Sequence, residues 1–378
     1  MRILSLLSTS SVTGPAELCV SDAEALRDAG HEVLFGCDTK RPGNYVEAIR
    51  RAGFEVMDEL VLCRKSSPMD LARDLSRLRR RMRGADVVHC RFSHDHTVAL
   101  LAMKGMSRPP LLVRTAEIAP SLRPGFARGI AFRACDAVVV SCRQYAERLR
   151  VGHGVPAERI VVLPGRVDLR RFTPGDGAEL RCELGVGEDD VLFGIVSRIK
   201  VERRHELLVR AFAQIAPAQP RAKLAIVGRG EHEPDLRELV ASLGLTGRVL
   251  FAGYRTGDAL VEVYRALDVK VWLAEGNDGT CRAVLEAMAC GKPAIVGDHG
   301  AMSEIVRDGV DGRVVPLDGR ALADALASMC DERRRAEAAA GARERASAFD
   351  LPVRAREIVG LYERLAQLRA YPLRSARA

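Results

Sequence analysis

The feature that most constrains the fold is an alternation of short apolar segments with longer helical segments, which runs along the chain twice. Short, mainly apolar segments, such as those at 2–8 and 191–196, are typical of buried strands. The segments that follow them have helical spacing and end at glycine or proline. Because each array alternates strand with helix, we predict an α/β fold of two parallel-sheet domains that face each other across a central cleft.

The alternation is interrupted once, at 164–174, where proline and glycine stand near both ends of the segment. A chain of 378 residues is long enough for two domains. We therefore predict an N-terminal domain at 1–163, a linker at 164–175 and a C-terminal domain at 176–346. Residues 347–378 are predicted to form a helical segment that can pack back on the N-terminal domain.

The stretch from Asp268 to Ile295 is predicted to form a site for a phosphate. We expect a strand at 269–273, a polar loop at 274–279 and a helix at 280–290. The free N–H groups of a first helical turn point at a ligand, and the helix dipole favours negative charge. An anion is therefore expected at the start of this helix.

Arg282 and Glu286 are one turn apart on the predicted polar face of the same helix. At a rise of roughly 1.5 Å per residue, Glu286 lies about 9 Å from the phosphate end, which is the reach from a diphosphate to a ribose. Its carboxylate can accept hydrogen bonds from two ribose hydroxyls. The alternative is a surface ion pair between the two side chains, which adds only a few tenths of a kcal/mol. This stretch alone leaves both interpretations open.

Charge and cysteine content narrow the class of protein. The chain has 58 Lys and Arg residues and 50 Asp and Glu residues. This excess of positive charge suits acidic ligands or an anionic membrane surface. The ten cysteines include no Cys-x-x-Cys pair, so we expect reduced thiols and no zinc site or disulfide framework. No apolar run has the length of a membrane span, and the first residues are more typical of a strand than of a signal peptide. We expect a cytoplasmic protein with no nucleic acid partner.

Segment 69–84 is predicted to be a strongly basic helix, with arginines at Arg73, Arg77, Arg79, Arg80, Arg81 and Arg83. One interpretation is a solvated helix face. The other is a contact with anionic lipid head groups, which would place the protein peripherally on the inner face of the cytoplasmic membrane.

Polar residues follow two predicted strands of the first domain. His94, Asp95 and His96 come after the strand at 85–90, and Glu117 comes after the strand at 111–114. Ligands of open α/β sheets bind beyond the carboxyl ends of the strands, so both clusters are candidates for a site. The two histidines lack helical metal spacing and a third ligand, so we expect no metal.

Four stretches together resemble glycosyltransferase family 4 of the GT-B fold, most strongly over 159–318. They are LPGRVD with FTP at 163–174, SR at 197–198 with Arg203, IVGRG with FAGY at 226–254, and DGTCRAVLEAMACG at 278–291 with Pro293. Each stretch is weak alone, and the combination is specific. The resemblance implies two Rossmann-like domains and a retaining transferase that uses a sugar nucleotide and needs no metal or other cofactor.

The resemblance also implies roles for individual residues. The family's two acids, eight positions apart, correspond to Asp278 and Glu286, with Glu275 as the alternative for the first acid. Its basic pair corresponds to Arg198 and Arg203, which would stabilise the departing nucleoside diphosphate. Glu117 stands where many relatives carry a histidine and could stabilise positive charge on the sugar ring. The implied contacts to the sugar nucleotide are Gly14, Gly279, Thr280, Cys281, Arg282, Glu286 and Tyr254, and those on the acceptor side are His94, Asp95 and His96.

We therefore expect a retaining glycosyltransferase that moves a sugar from a nucleoside-diphosphate sugar to a glycan or glycolipid acceptor. The expected setting is lipopolysaccharide-type biosynthesis of a bacterial cell envelope. Two alternatives use the same scaffold: a sugar-nucleotide epimerase or hydrolase, and a catalytically silent nucleotide-binding subunit. Release of nucleoside diphosphate that depends on an acceptor separates the first function from the other two.

Overall fold

The computed structural model describes residues 1–116, 122–276 and 278–370, with only the backbone described at 278–280 and 370. The chain divides into two compact units. The first comprises Met1–Leu163 together with the chain from Leu351, and the second comprises Pro164–Asp350.

A parallel sheet forms the centre of the first unit. Its strands are β1 (Arg2–Leu7), β2 (Glu32–Cys37), β3 (Glu55–Val56), β4 (Val87–Cys90), β5 (Leu111–Thr115), β6 (Ala137–Val140) and β7 (Ile160–Val162). In the described part of the chain they are ordered β3-β2-β1-β4-β5-β6-β7. The strands are almost continuously buried, as expected when helices cover both faces of a parallel sheet.

The helices of this unit up to residue 163 lie between the strands in sequence. They are α1 (Gly14–Asp28), α2 (Tyr45–Arg51), α3 (Pro68–Met82), α4 (Ser93–Met103), α5 (Phe126–Arg133) and α6 (Arg143–His153). Local sequence explains the start of α3, where the Ser67 hydroxyl accepts a hydrogen bond from the Asp70 N–H at 3.1 Å and Pro68 occupies the first helical position.

The second unit repeats the plan around another parallel sheet. Its strands are β8 (Val191–Val196), β9 (Ala222–Val227), β10 (Val249–Gly253), β11 (Val269–Trp272), β12 (Ala294–Gly297) and β13 (Gly312–Val315). Their order in the described chain is β10-β9-β8-β11-β12-β13. The order reverses between β8 and β11, and ligands of such sheets bind at this reversal, beyond the carboxyl ends of the strands.

Helices cover both faces of the second sheet. They are α7 (Ala178–Glu183), α8 (His205–Ile215), α9 (Glu233–Ser242), α10 (Asp258–Ala266), α11 (Asp278–Ala289), α12 (Met302–Ile305), α13 (Gly319–Ser328) and α14 (Glu332–Ser347). One apolar core includes Phe193, Phe212, Ile226 and Leu326, so β8, α8, β9 and α13 share it.

The last helix, α15 (Leu351–Ala370), belongs to the first unit and packs against α1. A buried hydrogen-bonded group holds it there. The His89 ring bonds through Nδ1 to the Tyr362 hydroxyl and through Nε2 to the Thr115 hydroxyl, both at 2.6 Å. Burial lowers the pKa of His89 well below its usual value, so the ring is neutral near pH 7.

The predicted strands and helices are confirmed, with ends that shift by a few residues. Strand β3 and helices α2, α4, α5 and α7 escaped the sequence analysis. The polar cluster that follows β4 contains a helix start that the sequence analysis did not predict, because α4 begins at Ser93. Polar residues favour the first turn of a helix as much as they favour a loop.

Two further observations, on membrane-spanning helices and on disulfide bonds, apply to the described ranges. No helix there combines the length and the apolarity that crossing a bilayer requires. The ten cysteines, all of which lie in those ranges, are free thiols.

Tyr362→Phe is expected to lower the free energy of unfolding by about 1–3 kcal/mol, because it leaves a buried nitrogen of His89 without its hydroxyl partner. Urea unfolding followed by circular dichroism measures the change. Tyr254→Phe is the matched control, since Tyr254 is 60 % exposed and its loss of a hydroxyl should be neutral. Equal stability of the two variants would mean that the His89 contact does not hold α15.

Candidate functional site

The carboxyl edge of the second sheet brings together the two basic residues that the sequence singled out and the start of α11. Arg198 and Arg203 lie in the loop between β8 and α8, and α11 follows the neighbouring strand β11. This is the point where the strand order reverses. The two loops therefore lie where the sheet geometry favours a ligand.

Two glycines after β9 determine the course of the loop that carries the arginines. The Ser197 N–H donates to the Val227 carbonyl at 3.0 Å, and the Ile199 N–H donates to the Arg229 carbonyl at 3.1 Å. A Cβ at Gly228 would overlap the Ser197 carbonyl oxygen, and one at Gly230 would overlap that of Ile199. Only glycine permits this close approach of the two backbones.

Arg203 is the half-buried cation of the site. Its guanidinium carbon lies 5.1 Å from the centre of the Trp272 ring, at the end of β11. Its Nε–H is buried and has no hydrogen-bond acceptor among the described residues. Burial lowers the pKa of Arg203, and the charge of Arg198 lowers it further, against the opposing effect of Glu202. A second cation and an unbonded N–H both favour an anion at this position.

Lys270 escaped the sequence analysis, although it is the one charged residue in the apolar run of β11. It is completely buried, and its Nζ donates to the Val271 carbonyl at 3.0 Å and lies 5.5 Å from the centre of the Trp272 ring. Burial lowers its pKa to about 7, although Glu286 opposes this effect. Trp272 therefore lies close to two cations, Arg203 and Lys270.

Helix α11 begins at Asp278, so the backbone of Gly279, Thr280 and Cys281 lies in its first turn. The Cys281 side chain is completely buried and can serve a ligand only through its backbone N–H. The Asp278 side chain lies outside the described part. Glu275 is partly buried, and the next residue, Gly276, pairs with Gly300. The choice between Glu275 and Asp278 as the first acid stays open.

Glu286 is buried, and the prediction that it lies on an exposed polar face is wrong. The residue is 2 % exposed. Its Oε1 accepts a hydrogen bond from Arg282 Nε at 2.6 Å, and its Oε2 accepts one from the Tyr264 hydroxyl at 2.7 Å. Burial raises the pKa of Glu286, while Arg282 and Tyr264 lower it.

The reason for this burial is tertiary. Helices α10 and α14 pack on α11, and α10 supplies Tyr264. Arg282 and Glu286 therefore form an ion pair, as one of the two interpretations of the sequence predicted. That interpretation placed both side chains at the surface, whereas Glu286 is buried. The Arg282 side chain is 29 % exposed and forms the accessible side of the pair.

Tyr254 follows β10 at the same edge of the sheet. Its ring is 60 % exposed and lies 4.6 Å from the guanidinium carbon of Arg229. An exposed aromatic ring under an arginine is a surface on which a planar group can stack. Its predicted contact with a nucleotide stays a prediction.

The predicted acceptor-side residues of the first unit are mostly internal. Asp95 is completely buried, and its carboxylate accepts hydrogen bonds from the backbone N–H groups of Ser8 at 2.9 Å and Phe92 at 2.7 Å. His96 is 3 % exposed and lies 3.1 Å from Cys135 Sγ. These two side chains hold strand ends and helices together, so an acceptor cannot reach them. His94 is partly exposed and stays a candidate.

Two further predicted residues have different outcomes. Gly14 is the exposed first residue of α1, and a Cβ there would meet nothing within 4 Å. Its contact with the donor stays a prediction. Glu117 lies outside the described residues.

Across the described ranges, no three His, Cys, Asp or Glu side chains form a group that could hold a metal ion.

Comparison with known proteins follows the same two-part division of the chain. The family described as "Glycosyl transferase 4-like domain" matches residues 13–166, and "Glycosyl transferases group 1" matches residues 177–346. A lipopolysaccharide core biosynthesis mannosyltransferase, LpsB of Rhizobium meliloti, is 31 % identical over 80 % of this chain and 86 % of its own. The chain belongs to the group 1 glycosyltransferases with a glycosyl transferase 4-like domain.

Further proteins that resemble this chain are also glycosyltransferases or share its fold. A D-inositol 3-phosphate glycosyltransferase of Stackebrandtia nassauensis is 34 % identical over 62 % of the chain and 55 % of its own. The chain thus spans about half the length of such relatives. HepE of Anabaena, solved in complex with UDP and glucose, is 22 % identical with a TM-score of 0.79, covering 96 % of this chain and 99 % of HepE. The fold of the family member is GT-B.

Glu286→Ala is expected to destabilise the family member by about 1–3 kcal/mol, because it leaves the buried Tyr264 hydroxyl without its acceptor. Urea unfolding measures the loss. The matched control is Glu262→Ala, which removes a half-exposed glutamate from a 2.7 Å pair with Arg265 on the neighbouring helix. A pair of that kind contributes less than about 1 kcal/mol. Equal effects would show that burial of Glu286 adds nothing to stability.

Proposed function

We propose that the protein transfers a sugar from a nucleoside-diphosphate sugar to a glycan or glycolipid acceptor, with retention of the anomeric configuration and without a metal. The observation that carries the proposal is the half-buried Arg203 guanidinium, with its unbonded Nε–H, beside Arg198 at the reversal of the strand order. Family membership supports the same reaction class, and HepE, which binds UDP and glucose, supports the type of donor.

The proposed chemistry follows from where charge develops. The oxygen of an acceptor hydroxyl forms a bond to the anomeric carbon, and its proton passes to the departing diphosphate or to water. The bond between the anomeric carbon and the phosphate oxygen breaks and leaves its electron pair on the nucleoside diphosphate. Arg198, Arg203 and the N–H groups at the start of α11 then stabilise the added negative charge. A partly desolvated guanidinium such as Arg203 is worth more in this role than an exposed one, because less water screens its field.

The remaining donor contacts are part of the proposal. Arg282 is the accessible partner of Glu286, so its displacement by a ribose hydroxyl would free Oε1 of Glu286 as the acceptor. Glu117 and Asp278 are proposed to act on the sugar, as the family resemblance implies. Tyr254, stacked with Arg229, is proposed to meet the base.

The acceptor is proposed to be an envelope glycolipid that the protein meets at the cytoplasmic face of a membrane. LpsB, which is named for lipopolysaccharide core synthesis and shares most of its length with this chain, supports this choice. The excess of basic over acidic residues, 58 to 50, suits an anionic membrane surface. The protein would associate peripherally.

The reaction class is tested by release of nucleoside diphosphate from a panel of UDP-, GDP- and ADP-sugars, with and without a detergent-solubilised glycolipid acceptor. Release is expected with one nucleotide and only when the acceptor is present. Release without any acceptor would favour an epimerase or hydrolase. Nucleotide binding with no turnover for any pair would favour a silent binding subunit.

Arg203→Ala and Arg198→Ala are expected to lower kcat by about a hundredfold or more while weakening binding of the intact donor less than about tenfold, because the full charge appears only in the transition state. Trp272, the single tryptophan of the chain, lies beside Arg203, so its fluorescence can follow donor binding. Equal losses in kcat and in binding would point to ground-state binding alone.

Arg210→Ala is the matched control for these variants. Arg210 is an exposed arginine on α8, in the same unit and downstream of the same loop. Its removal takes away one positive charge at a place away from Trp272. A loss of kcat in this variant comparable to that in Arg203→Ala would mean that net charge, and not the position of the guanidinium, is what matters.

A further inference from the structure

Large apolar side chains are exposed on two neighbouring helices of the first unit. Phe126 and Ile130, one turn apart on α5, are 86 % and 49 % exposed, and Val151 near the end of α6 is 68 % exposed. Helices α5 and α6 pack against each other, and the His153 ring contacts the Leu122 carbonyl at 3.0 Å. We call the exposed side chains of 122–130 and 144–152 the α5–α6 patch.

A cavity of about 700 Å³ lies within the α5–α6 patch. Apolar Leu122, Pro124 and Val151 line it together with the aliphatic parts of longer side chains. Pro124 leads directly into α5, where Phe126 projects from the surface. Monomeric proteins seldom expose contiguous apolar surface of this kind unless it meets a membrane, a ligand or another protein.

The charged residues around the α5–α6 patch indicate which of these three, a membrane, a ligand or another protein, binds there. Between Leu122 and Gly152 the chain has six arginines and two acidic residues. Both acids are engaged within the protein: Glu147 pairs with Arg150 at 2.6 Å, and Asp136 accepts the Leu112 N–H at 2.7 Å. Three of the arginines are engaged as well: Arg128 donates to the Arg123 carbonyl, Arg133 to the His153 carbonyl at 2.6 Å, and Arg150 to Glu147. The basic rim therefore consists of Arg123 and Arg148, which line the cavity, and the exposed Arg143. An apolar centre with a basic rim is the pattern of interfacial helices that bind anionic lipid.

We propose that the α5–α6 patch docks on an anionic lipid bilayer, with Phe126, Ile130 and Val151 entering the interface and the arginines meeting lipid phosphates. This proposal deepens, and rests on, the proposed function at an envelope membrane. A protruding phenylalanine beside arginines suits a deformable lipid surface better than the flat, complementary surface of a protein partner. The contact that we propose is peripheral, with side chains reaching only the interfacial layer.

The basic helix α3 is less suited to this role than its sequence indicates. Arg79 donates to the carbonyls of Ala102 at 2.9 Å and Lys104 at 2.6 Å, and Arg81 pairs with Glu59 at 2.7 Å. Arg77 donates to the Glu59 carbonyl. These guanidinium groups fasten α3 to its own unit. Of the large apolar residues on α3, only Met69, in the first turn, is among the exposed ones.

Sedimentation with vesicles of phosphatidylcholine, alone or mixed with phosphatidylglycerol, tests the proposal. The full chain is expected to sediment only with the mixed vesicles, and less at high salt. Phe126→Ser with Val151→Ser is expected to reduce the bound fraction by about tenfold, because the apolar anchors are lost. Arg123→Glu tests the basic rim in the same way. Both changes are on exposed side chains, and circular dichroism verifies the fold.

Two controls make the result decisive. Val310→Ser changes a 50 % exposed valine of the second unit and should leave sedimentation unchanged. Arg73→Ser with Arg80→Ser and Arg83→Ser removes two exposed arginines of α3 and the exposed arginine that follows it, and should have a smaller effect than the patch variants. Loss of binding only in the α3 variant would overturn the proposal.

Indifference of the wild-type chain to phosphatidylglycerol would also overturn the proposal, as would self-association through Phe126 and Val151 in its place. Transfer to a detergent-solubilised acceptor is measured separately with the same variants. A protein that transfers sugar but ignores vesicles refutes the docking surface and leaves the proposed function intact. A protein that binds vesicles through the α5–α6 patch but transfers nothing refutes only the proposed function.

Discussion

The close approach of two backbone segments at the edge of the second sheet is the constraint on which the candidate site depends. The backbone N–H groups of Ser197 and Ile199 donate to the carbonyls of Val227 and Arg229, and only glycine at Gly228 and Gly230 leaves room for this approach. This approach carries the chain into the turn at Arg203 and places the guanidinium over Trp272 of a neighbouring strand. The cation is thus positioned by backbone packing and an aromatic ring, and no described acidic side chain forms a salt bridge with it.

That arrangement matters because buried charge is costly unless it is compensated. Arg203 and Lys270 both approach Trp272, and burial lowers the pKa of each. Glu286, the acid of the same region, is committed to Arg282 and Tyr264. Among the described side chains around Trp272, the two that approach its ring with a charge are therefore cations. An anion bound beside Arg203 would compensate this charge and so stabilise the fold as well as enter the chemistry.

The first unit uses its polar residues differently. At the ends of its strands, Asp95 accepts backbone N–H groups and His89 joins the sheet to the returning helix α15. Three arginines of α3 likewise bind carbonyl or carboxylate groups of their own unit. This unit also exposes the α5–α6 patch, which carries both apolar side chains and arginines. The two units share a plan of sheet and helices, but they expose different chemistry.

The sequence by itself determined the fold class, most of the strands and helices, and the loop that carries Arg198 and Arg203. Periodicity and glycine positions are local properties, so a single chain displays them directly. The same rule about strand ends favoured Asp95 and His96 as well, and there it misled, because burial depends on which neighbours pack against a residue. Glu286 gives the clearest case. Its spacing from Arg282 predicts an ion pair, which exists, but the packing of α10 and α14 on α11 buries the Glu286 carboxylate and adds Tyr264 as its partner. The tertiary structure alone decided the approach of Arg203 to Trp272, which are distant in sequence. It likewise decided that Phe126 and Val151, on two helices that pack together, are exposed.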